Sequence, residues 1–131
     1  MERLFRFAGL SRDVLARWRP WILVLWTGLI GLTVAGSMVK SMMPPSAHEM
    51  DKVVHASVYA LLAAVVPLIT RRLSWQMIGL GGLVLLGGGI EILQSMVPGR
   101  DASLFDFGAD CIGIAVGWVI ARQVLRSLLS R

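Results

Sequence analysis

The fold is decided by one stretch, residues 89–110, which reads GIEILQSMVPGRDASLFDFGAD. Long apolar runs rich in Leu, Val, Ile and Gly flank this stretch on both sides. The stretch itself carries the polar and charged residues Glu91, Gln94, Arg100, Asp101, Ser103, Asp106 and Asp110. A carboxylate at the centre of a bilayer costs about 2.5–3.5 kcal/mol on insertion scales, so each acid needs a partner, water or a function. The question for the whole sequence is what these groups face.

The composition is typical of a membrane protein. Of the 131 residues, 56% are hydrophobic, and the mean hydropathy is +0.70, which is too apolar for a soluble domain of this size. The net charge of +5 does not indicate nucleic acid, because the basic residues are divided between separate flanks of the apolar runs. The only cysteine, Cys111, has no partner for an internal disulfide, and zinc-type spacing is absent. We therefore expect a membrane domain with no cofactor and no nucleic-acid partner.

Four apolar runs are each long enough to cross a membrane at about 1.5 Å of rise per residue. The expected spans are about 21–39, 53–70, 75–97 and 104–125, within one membrane domain at 20–131. The runs are separated by Pro44-Pro45, Arg71-Arg72 and Pro98-Gly99. Proline and the residue before it are disfavoured inside a helix, which supports these breaks. The predicted fold is an all-α, four-helix transmembrane bundle.

Residues 1–19 form a basic flank before the first span. Apolar residues recur in it at roughly helical spacing, with arginines toward another side, which suits an amphipathic helix lying on the membrane surface. A disordered basic flank is the alternative. For the first apolar run, a cleaved signal peptide ending near Val34-Ala35-Gly36 competes with a span. The run fills a whole membrane crossing, which favours the span.

The basic residues predict the orientation of the bundle. If the N-terminus lies inside, the inner side holds ten Lys and Arg residues, and the outer side holds three: Lys40, Lys52 and Arg100. Cytoplasmic loops carry an excess of Lys and Arg, so this arrangement is favoured over its inverse. We expect both termini inside (N-in/C-in).

This topology predicts that three helices bring polar side chains to the same depth, in the outer third of the bundle. Residues three or four apart lie on one face of a helix. The second span contributes Asp51, Lys52, His55 and Tyr59, the third contributes Glu91 and Gln94, and the last loop and fourth span contribute Arg100, Ser103, Asp106 and Asp110. We take this set as the candidate site. Their common depth is a stronger argument than any single residue.

Hypothetical roles follow from the chemistry of these side chains. The catalytic candidates are His55, Glu91 and Asp106, since an imidazole and a carboxylate exchange protons. The ligand-binding candidates are Asp51, Lys52, Tyr59, Gln94, Arg100, Ser103 and Asp110. Of these, Lys52 and Arg100 suit a phosphate or carboxylate group. A divalent cation held by Asp51, His55, Glu91, Asp106 or Asp110 would balance the acids. No metal-binding motif supports such an ion, so no metal site is predicted.

Each candidate also has a purely structural interpretation. Asp51 suits the N-cap or the first turn of a helix, and His55 suits a hydrogen-bonding residue of the core. Glu91 would be half of a buried pair with Arg100 or His55. Asp106 and Asp110 would be carboxylates stabilised by the start of a helix. The glycines at 113 and 117 continue the face of Asp106 and Asp110 and predict close helix contact.

The order and spacing of these residues resemble the VanZ-like family of bacterial membrane proteins. The matching residues are Asp51-Lys52-x-x-His55-x-x-x-Tyr59, Glu91-x-x-Gln94, Pro98-Gly99-Arg100, Ser103, Asp106 and Gly113, within residues 51–117. One departure is Asp110, where the family usually has Asn, which adds a potential charge. The resemblance implies a multi-pass protein of the bacterial cytoplasmic (inner) membrane with an outward-facing site. The family's founding member is associated with teicoplanin resistance, so the resemblance also implies a link to glycopeptide resistance.

Two classes of function are compatible with this sequence. In the first, the site binds or acts on a cell-envelope lipid or a cell-wall precursor, and membrane lipids are the surrounding partners. In the second, the polar cluster is structural, and the protein is a non-catalytic scaffold that contacts partners or a second copy of itself through its glycine faces. Variants of Glu91, Arg100 and Asp106 that fold normally but lose function would favour the first.

Overall fold

The computed structural model of this protein describes residues 12–38, 48–96 and 103–129. They form four α-helices: α1 (Arg12–Met38), α2 (His48–Ile69), α3 (Leu73–Ser95) and α4 (Leu104–Leu129). No strand occurs within these three described ranges. Each helix is long and apolar enough to cross a membrane. The predicted all-α, four-helix transmembrane fold is confirmed, and the chain is a multi-pass membrane protein.

Three helices begin earlier than the spans expected from the sequence, although α3 does so by only two residues. Helix α1 begins at Arg12, so residues 12–19 continue directly into the first span and the expected boundary after residue 19 is not a helix end. Pro20 lies inside α1, where its missing N–H removes one helical hydrogen bond without ending the helix. Helix α2 begins at His48, so Asp51 is the fourth residue of the helix and not its N-cap, which agrees with the first-turn alternative. The rest of the flank, residues 1–11, lies outside the described residues.

The closest helix packing joins α2 to α4. Gly113 of α4 lies against the backbone of Ala56, and Gly117 lies against the backbone of Ala60. A side chain at either glycine would overlap the carbonyl oxygen of the facing alanine. Because glycine has no Cβ, the two backbones approach in this way without conflict. The two contacts advance together along both chains, so α2 and α4 run parallel, and the predicted glycine contact face is confirmed.

Helix α3 runs antiparallel to α2 and α4. Near its end, Gly87 approaches Tyr59 of α2 and Asp110 of α4. Near its start, Gln76 accepts a 2.9 Å hydrogen bond from the Trp118 indole of α4. The bundle core lies between these three helices and contains Tyr59, Leu62, Ala63, Val66, Leu80, Leu83 and Ile114.

Helix α1 packs on the outside of this three-helix unit. No residue of α1 from 13 to 38 is fully buried. The Trp26 indole N–H donates to the Leu62 carbonyl of α2 at 2.9 Å, and the Ser37 carbonyl accepts from the Gln94 side chain of α3 at 3.1 Å. These two contacts place α1 parallel to α3.

The alternating helix directions give the bundle two chemically different ends. The polar end is formed by the last turns of α1 and α3 and the first turns of α2 and α4. The opposite, basic end carries the described arginines Arg17, Arg19, Arg71, Arg72, Arg122 and Arg126. This separation agrees with the charge partition read from the sequence. The side of the membrane that each end faces stays a prediction.

Candidate functional site at the polar end of the bundle

His55 and Asp110 connect α2 to α4 at the polar end. The His55 Nδ1 atom lies 3.1 Å from the Asp110 Oδ1 atom. Both side chains are withdrawn from solvent, with 13% of the His55 side chain and 1% of the Asp110 side chain exposed. The parallel packing of α2 on α4 brings the two residues to the same level. Asp110 is therefore placed to fix which way the imidazole of His55 faces.

Gly87 of α3 makes room for this pair. A Cβ at position 87 would lie 2.9 Å from Asp110 Oδ2 and 3.4 Å from the Tyr59 hydroxyl oxygen. Any larger residue would therefore displace the Asp110 carboxylate or Tyr59. Gly87 was not among the site residues expected from the sequence. The sequence feature that points to this role is the Gly87-Gly88-Gly89 run, which lies shortly before Glu91 in the predicted span. Glycines in a membrane helix allow a neighbouring helix to approach closely.

Glu91 is held by the start of α4. The backbone N–H of Ser103 donates to Glu91 Oε2 at 2.8 Å, and only 6% of Glu91 is exposed. The Ser103 hydroxyl in turn caps α4 by accepting from the Asp106 N–H at 3.2 Å. The unsatisfied N–H groups and positive dipole end of a helix stabilise a carboxylate at this position. Arg100 and His55 were the partners expected for Glu91 from the sequence, whereas its hydrogen-bond partner among the described residues is the main-chain N–H of Ser103.

The three residues proposed as catalytic converge in space. One ring nitrogen of His55 and one carboxylate oxygen from each of Glu91 and Asp106 lie within 4.8 Å of one another. Three different helices supply these groups: α2, α3 and α4. This convergence agrees with the common depth expected from the sequence, and the set offers one nitrogen and two oxygen atoms that could bind a metal ion. The sequence showed no metal-binding spacing because the three residues come from distant segments.

Three buried polar atoms at this end have no hydrogen-bond partner within the described part of the chain. They are the Tyr59 hydroxyl oxygen, Glu91 Oε1 and Asp110 Oδ2. A buried polar group without a partner costs about 1–3 kcal/mol, and such groups are few in native proteins. Their concentration in one place indicates a site with a polar function.

An apolar groove reaches this polar end from the side of the bundle. It lies between α1, α2 and α3 and has a volume of about 380 Å³. Its apolar walls include Leu29, Leu32, Val58 and Leu62. Its polar lining residues are Thr33, Ser37, His55, Tyr59 and Gln94. Leu29 and Leu32 are exposed on the surface of α1. The groove therefore connects the lipid-facing surface of the bundle with the polar residues of the site.

The remaining ligand-binding candidates are placed less centrally or lie outside the described structure. The Lys52 ammonium nitrogen lies 5.5 Å from the centre of the Phe105 ring, a distance at which a cation interacts with the face of an aromatic ring. Gln94 bonds the last turn of α1, and Ser103 acts as a helix cap. Arg100 and the side chain of Asp51 lie outside the described residues, so their proposed roles stay predictions.

Comparisons with known proteins add no assignment, since no family model, no curated protein and no solved structure matches this chain. The resemblance to the VanZ-like family therefore stays a prediction carried by the motif residues. The fold and the geometry of the polar end are the observations from which a function is inferred.

Proposed function

We propose that this protein binds an amphipathic lipid of the bacterial cell envelope, or a lipid-linked cell-wall precursor, with its headgroup at the polar end of the bundle. The observation that carries this proposal is the position of the groove. It is open to the membrane on one side and is lined by His55, Tyr59 and Gln94 beside the convergent acids. A lipid chain in the groove places its headgroup beside these polar residues.

The groove determines where a lipid chain lies more than how tightly the lipid binds. A lipid chain is already surrounded by apolar groups in the bilayer, so moving it into an apolar groove gains packing rather than hydrophobic free energy. Discrimination between lipids therefore comes from the polar end. The carboxylates of Glu91 and Asp106 favour a headgroup that donates hydrogen bonds, such as a sugar or an amine. Lys52 and Arg100 are the cations that would meet a phosphate on the same headgroup.

The groove is tested by filling it from α1. Gly36 lines the groove, and a Cβ at this position meets no atom within 4 Å, so Gly36→Leu extends a side chain toward the groove without a backbone clash. Gly28→Leu is the matched control, because a Cβ at Gly28 also meets nothing within 4 Å and Gly28 does not line the groove. Native mass spectrometry of protein extracted from a bacterial membrane should show a defined bound lipid on the wild type and on Gly28→Leu. Gly36→Leu should lose it.

The polar end is tested with Glu91→Gln and Asp106→Asn. Both changes keep the size of the side chain and remove its charge. The proposal expects the bound lipid to be lost while the melting temperature in detergent stays close to that of the wild type. Lipid retained on Gly36→Leu and on both polar variants would refute the proposal.

The alternative function is a scaffold in which the polar cluster is structural. The burial of Asp110, bonded to His55 and packed on Gly87, favours it for this one residue. Gly113 and Gly117 are already occupied within the chain, so a second copy or a partner protein would use the glycines of α1 or α3. This alternative expects the Glu91→Gln and Asp106→Asn variants to lose thermal stability, with no specific lipid on the wild type.

A contribution to glycopeptide resistance is the physiological part of the proposal, and it is supported by the VanZ-like resemblance alone. Expression of the wild type in a teicoplanin-sensitive host should raise the teicoplanin concentration needed to stop growth. Glu91→Gln and Arg100→Ala, expressed at the same membrane level, should not. Equal protection by all three proteins would show that resistance does not depend on the polar site.

A further inference from the structure

The convergence of His55, Glu91 and Asp106 has a chemical consequence beyond lipid binding. Their three donor atoms lie within 4.8 Å of one another and consist of one imidazole nitrogen and two carboxylate oxygens. Two ligands of one tetrahedral metal ion at about 2.1 Å from it are about 3.4 Å apart. Side-chain rotations that shorten the widest separation by up to about 1.4 Å would therefore bring all three donors onto one ion.

A second observation indicates that Glu91 serves a ligand. Its Oε2 atom accepts the Ser103 N–H, whereas Oε1 is buried and has no hydrogen-bond partner within the described residues. Glu91 as a whole is almost completely removed from solvent, with 6% of its surface exposed. A buried carboxylate oxygen without a donor is costly unless a cation or a donor meets it. The helix start alone satisfies only one of the two oxygens.

We propose that His55, Glu91 and Asp106 form a binding site for a divalent first-row transition metal, with Zn²⁺ or Mn²⁺ as the ions that fit best. Imidazole favours Zn²⁺ over Mg²⁺ and Ca²⁺, and carboxylates suit Mn²⁺ as well as Zn²⁺. A dication also balances the two carboxylates, which otherwise repel each other in a site poor in water.

Asp110 is the positioning residue of this site. Its Oδ1 atom lies 3.1 Å from His55 Nδ1, so the imidazole would present its other nitrogen, Nε2, to the ion. A carboxylate that accepts from the second ring nitrogen of a metal-bound histidine fixes the orientation of the ring and raises its basicity. Loss of such a partner costs about 10- to 100-fold in metal affinity. Asp110 thus has a role in the site although it is too deeply buried to meet a lipid headgroup.

Three protein ligands leave coordination positions on the ion for water or another oxygen donor. If the proposed function holds, a phosphate oxygen of the lipid headgroup would take one of these positions, and this step rests on that function. Binding of the ion itself does not. The metal site is therefore tested with the metal alone, in lipid-free detergent, and its failure is distinguishable from the failure of lipid binding.

The experiment is metal binding by chelator-treated protein, measured by titration calorimetry and by the metal content after gel filtration. The probes are ZnCl₂ and MnCl₂, with MgCl₂ as a comparison. We expect one Zn²⁺ or Mn²⁺ per chain on the wild type. Glu91→Gln and Asp106→Asn should lose this ion. Asp13→Asn, at an acid in the first turn of α1 far from the site, should retain it.

A second measurement does not depend on the folding of the ligand variants. The chain has two histidines, His48 and His55. Pulsed electron paramagnetic resonance of Mn²⁺ on the wild type should show coupling to an imidazole nitrogen, and the same coupling should remain in His48→Gln. Asp110→Asn should keep this coupling but bind the ion less tightly. A wild type without stoichiometric metal, or a coupling lost in His48→Gln, would overturn the proposal, as would metal retained by folded Glu91→Gln and Asp106→Asn.

Discussion

Asp110 of α4 accepts a hydrogen bond from His55 of α2 across 3.1 Å, with the carboxylate almost completely buried. This bond joins the two helices that pack most closely in the bundle. It is continued by the contacts of Gly113 and Gly117 with α2. Its position at the polar end makes Asp110 both a part of the helix interface and the neighbour of the proposed metal ligand His55.

Replacement of Asp110 tests its role in the helix interface. Asp110→Asn keeps an oxygen that accepts from His55, so the free energy of unfolding should fall by only about 1 kcal/mol, the difference between a charged and a neutral hydrogen bond. Asp110→Ala leaves the His55 N–H without its acceptor and should cost about 1–3 kcal/mol for that group, with a further cost for the cavity. Unfolding by denaturant in detergent micelles measures both. Equal stability of the two variants would show that the bond does not stabilise the fold.

The fold was predictable because a membrane permits few kinds of secondary structure in a spanning segment. Apolar runs of suitable length and the breaks between them were sufficient to predict four helices. The rise of 1.5 Å per residue then predicted that His55, Glu91 and Asp106 share one depth. This depth is the reason why residues from three distant segments were placed in one site. The structure brings the donor atoms of these three residues together.

The details of the site depended on information that the residue types do not carry. The partner of Glu91 is the Ser103 N–H, and a main-chain donor is available there only because α4 begins at Leu104. The space for Asp110 depends on Gly87, which is recognisable only once α3 is packed against α2 and α4. The groove depends on how loosely α1 packs, and hydropathy does not report packing.

The contact of Gly117 with Ala60 predicts that one added methyl group lowers the stability of the bundle considerably. Gly117→Ala places a methyl group against the Ala60 carbonyl oxygen, so α4 must move away from α2. Overpacking of this kind costs about 1–3 kcal/mol, and more where backbone must shift. Gly82→Ala is the matched control, since a Cβ there meets no atom within 4 Å. The thermal unfolding temperature in detergent should fall for Gly117→Ala and stay level or rise for Gly82→Ala. Equal unfolding temperatures would contradict a close contact between α2 and α4 at this position.

The N-cap of α4, Ser103, predicts a smaller loss of stability than the glycine contact does. Ser103→Ala removes the hydroxyl that accepts the Asp106 N–H, and loss of an N-cap costs about 1 kcal/mol. The hydrogen bond to Glu91 should persist, because the Ser103 main chain donates it. Ser103→Asn restores a capping oxygen and should recover the stability. Chemical denaturation of the three proteins checks this order, and a Ser103→Asn variant no more stable than Ser103→Ala would argue against capping.

The indole of Trp26 predicts how α1 is held against the bundle. Its N–H donates to the Leu62 carbonyl across 2.9 Å, and no residue of α1 between 13 and 38 is fully buried, so this bond is a substantial part of the attachment. Trp26→Phe keeps an aromatic ring and removes the donor, and it should cost about 0.5–1.5 kcal/mol. Helix α1 should lose more stability than the other three helices, because α1 would separate from α2 without unfolding of the three-helix unit. Hydrogen exchange followed by mass spectrometry should therefore show faster exchange in α1 alone.

Trp21→Phe, at an indole that is 63% exposed, is the control and should leave exchange unchanged. Faster exchange in α2, α3 and α4 as well would mean that α1 and the other helices unfold as one unit.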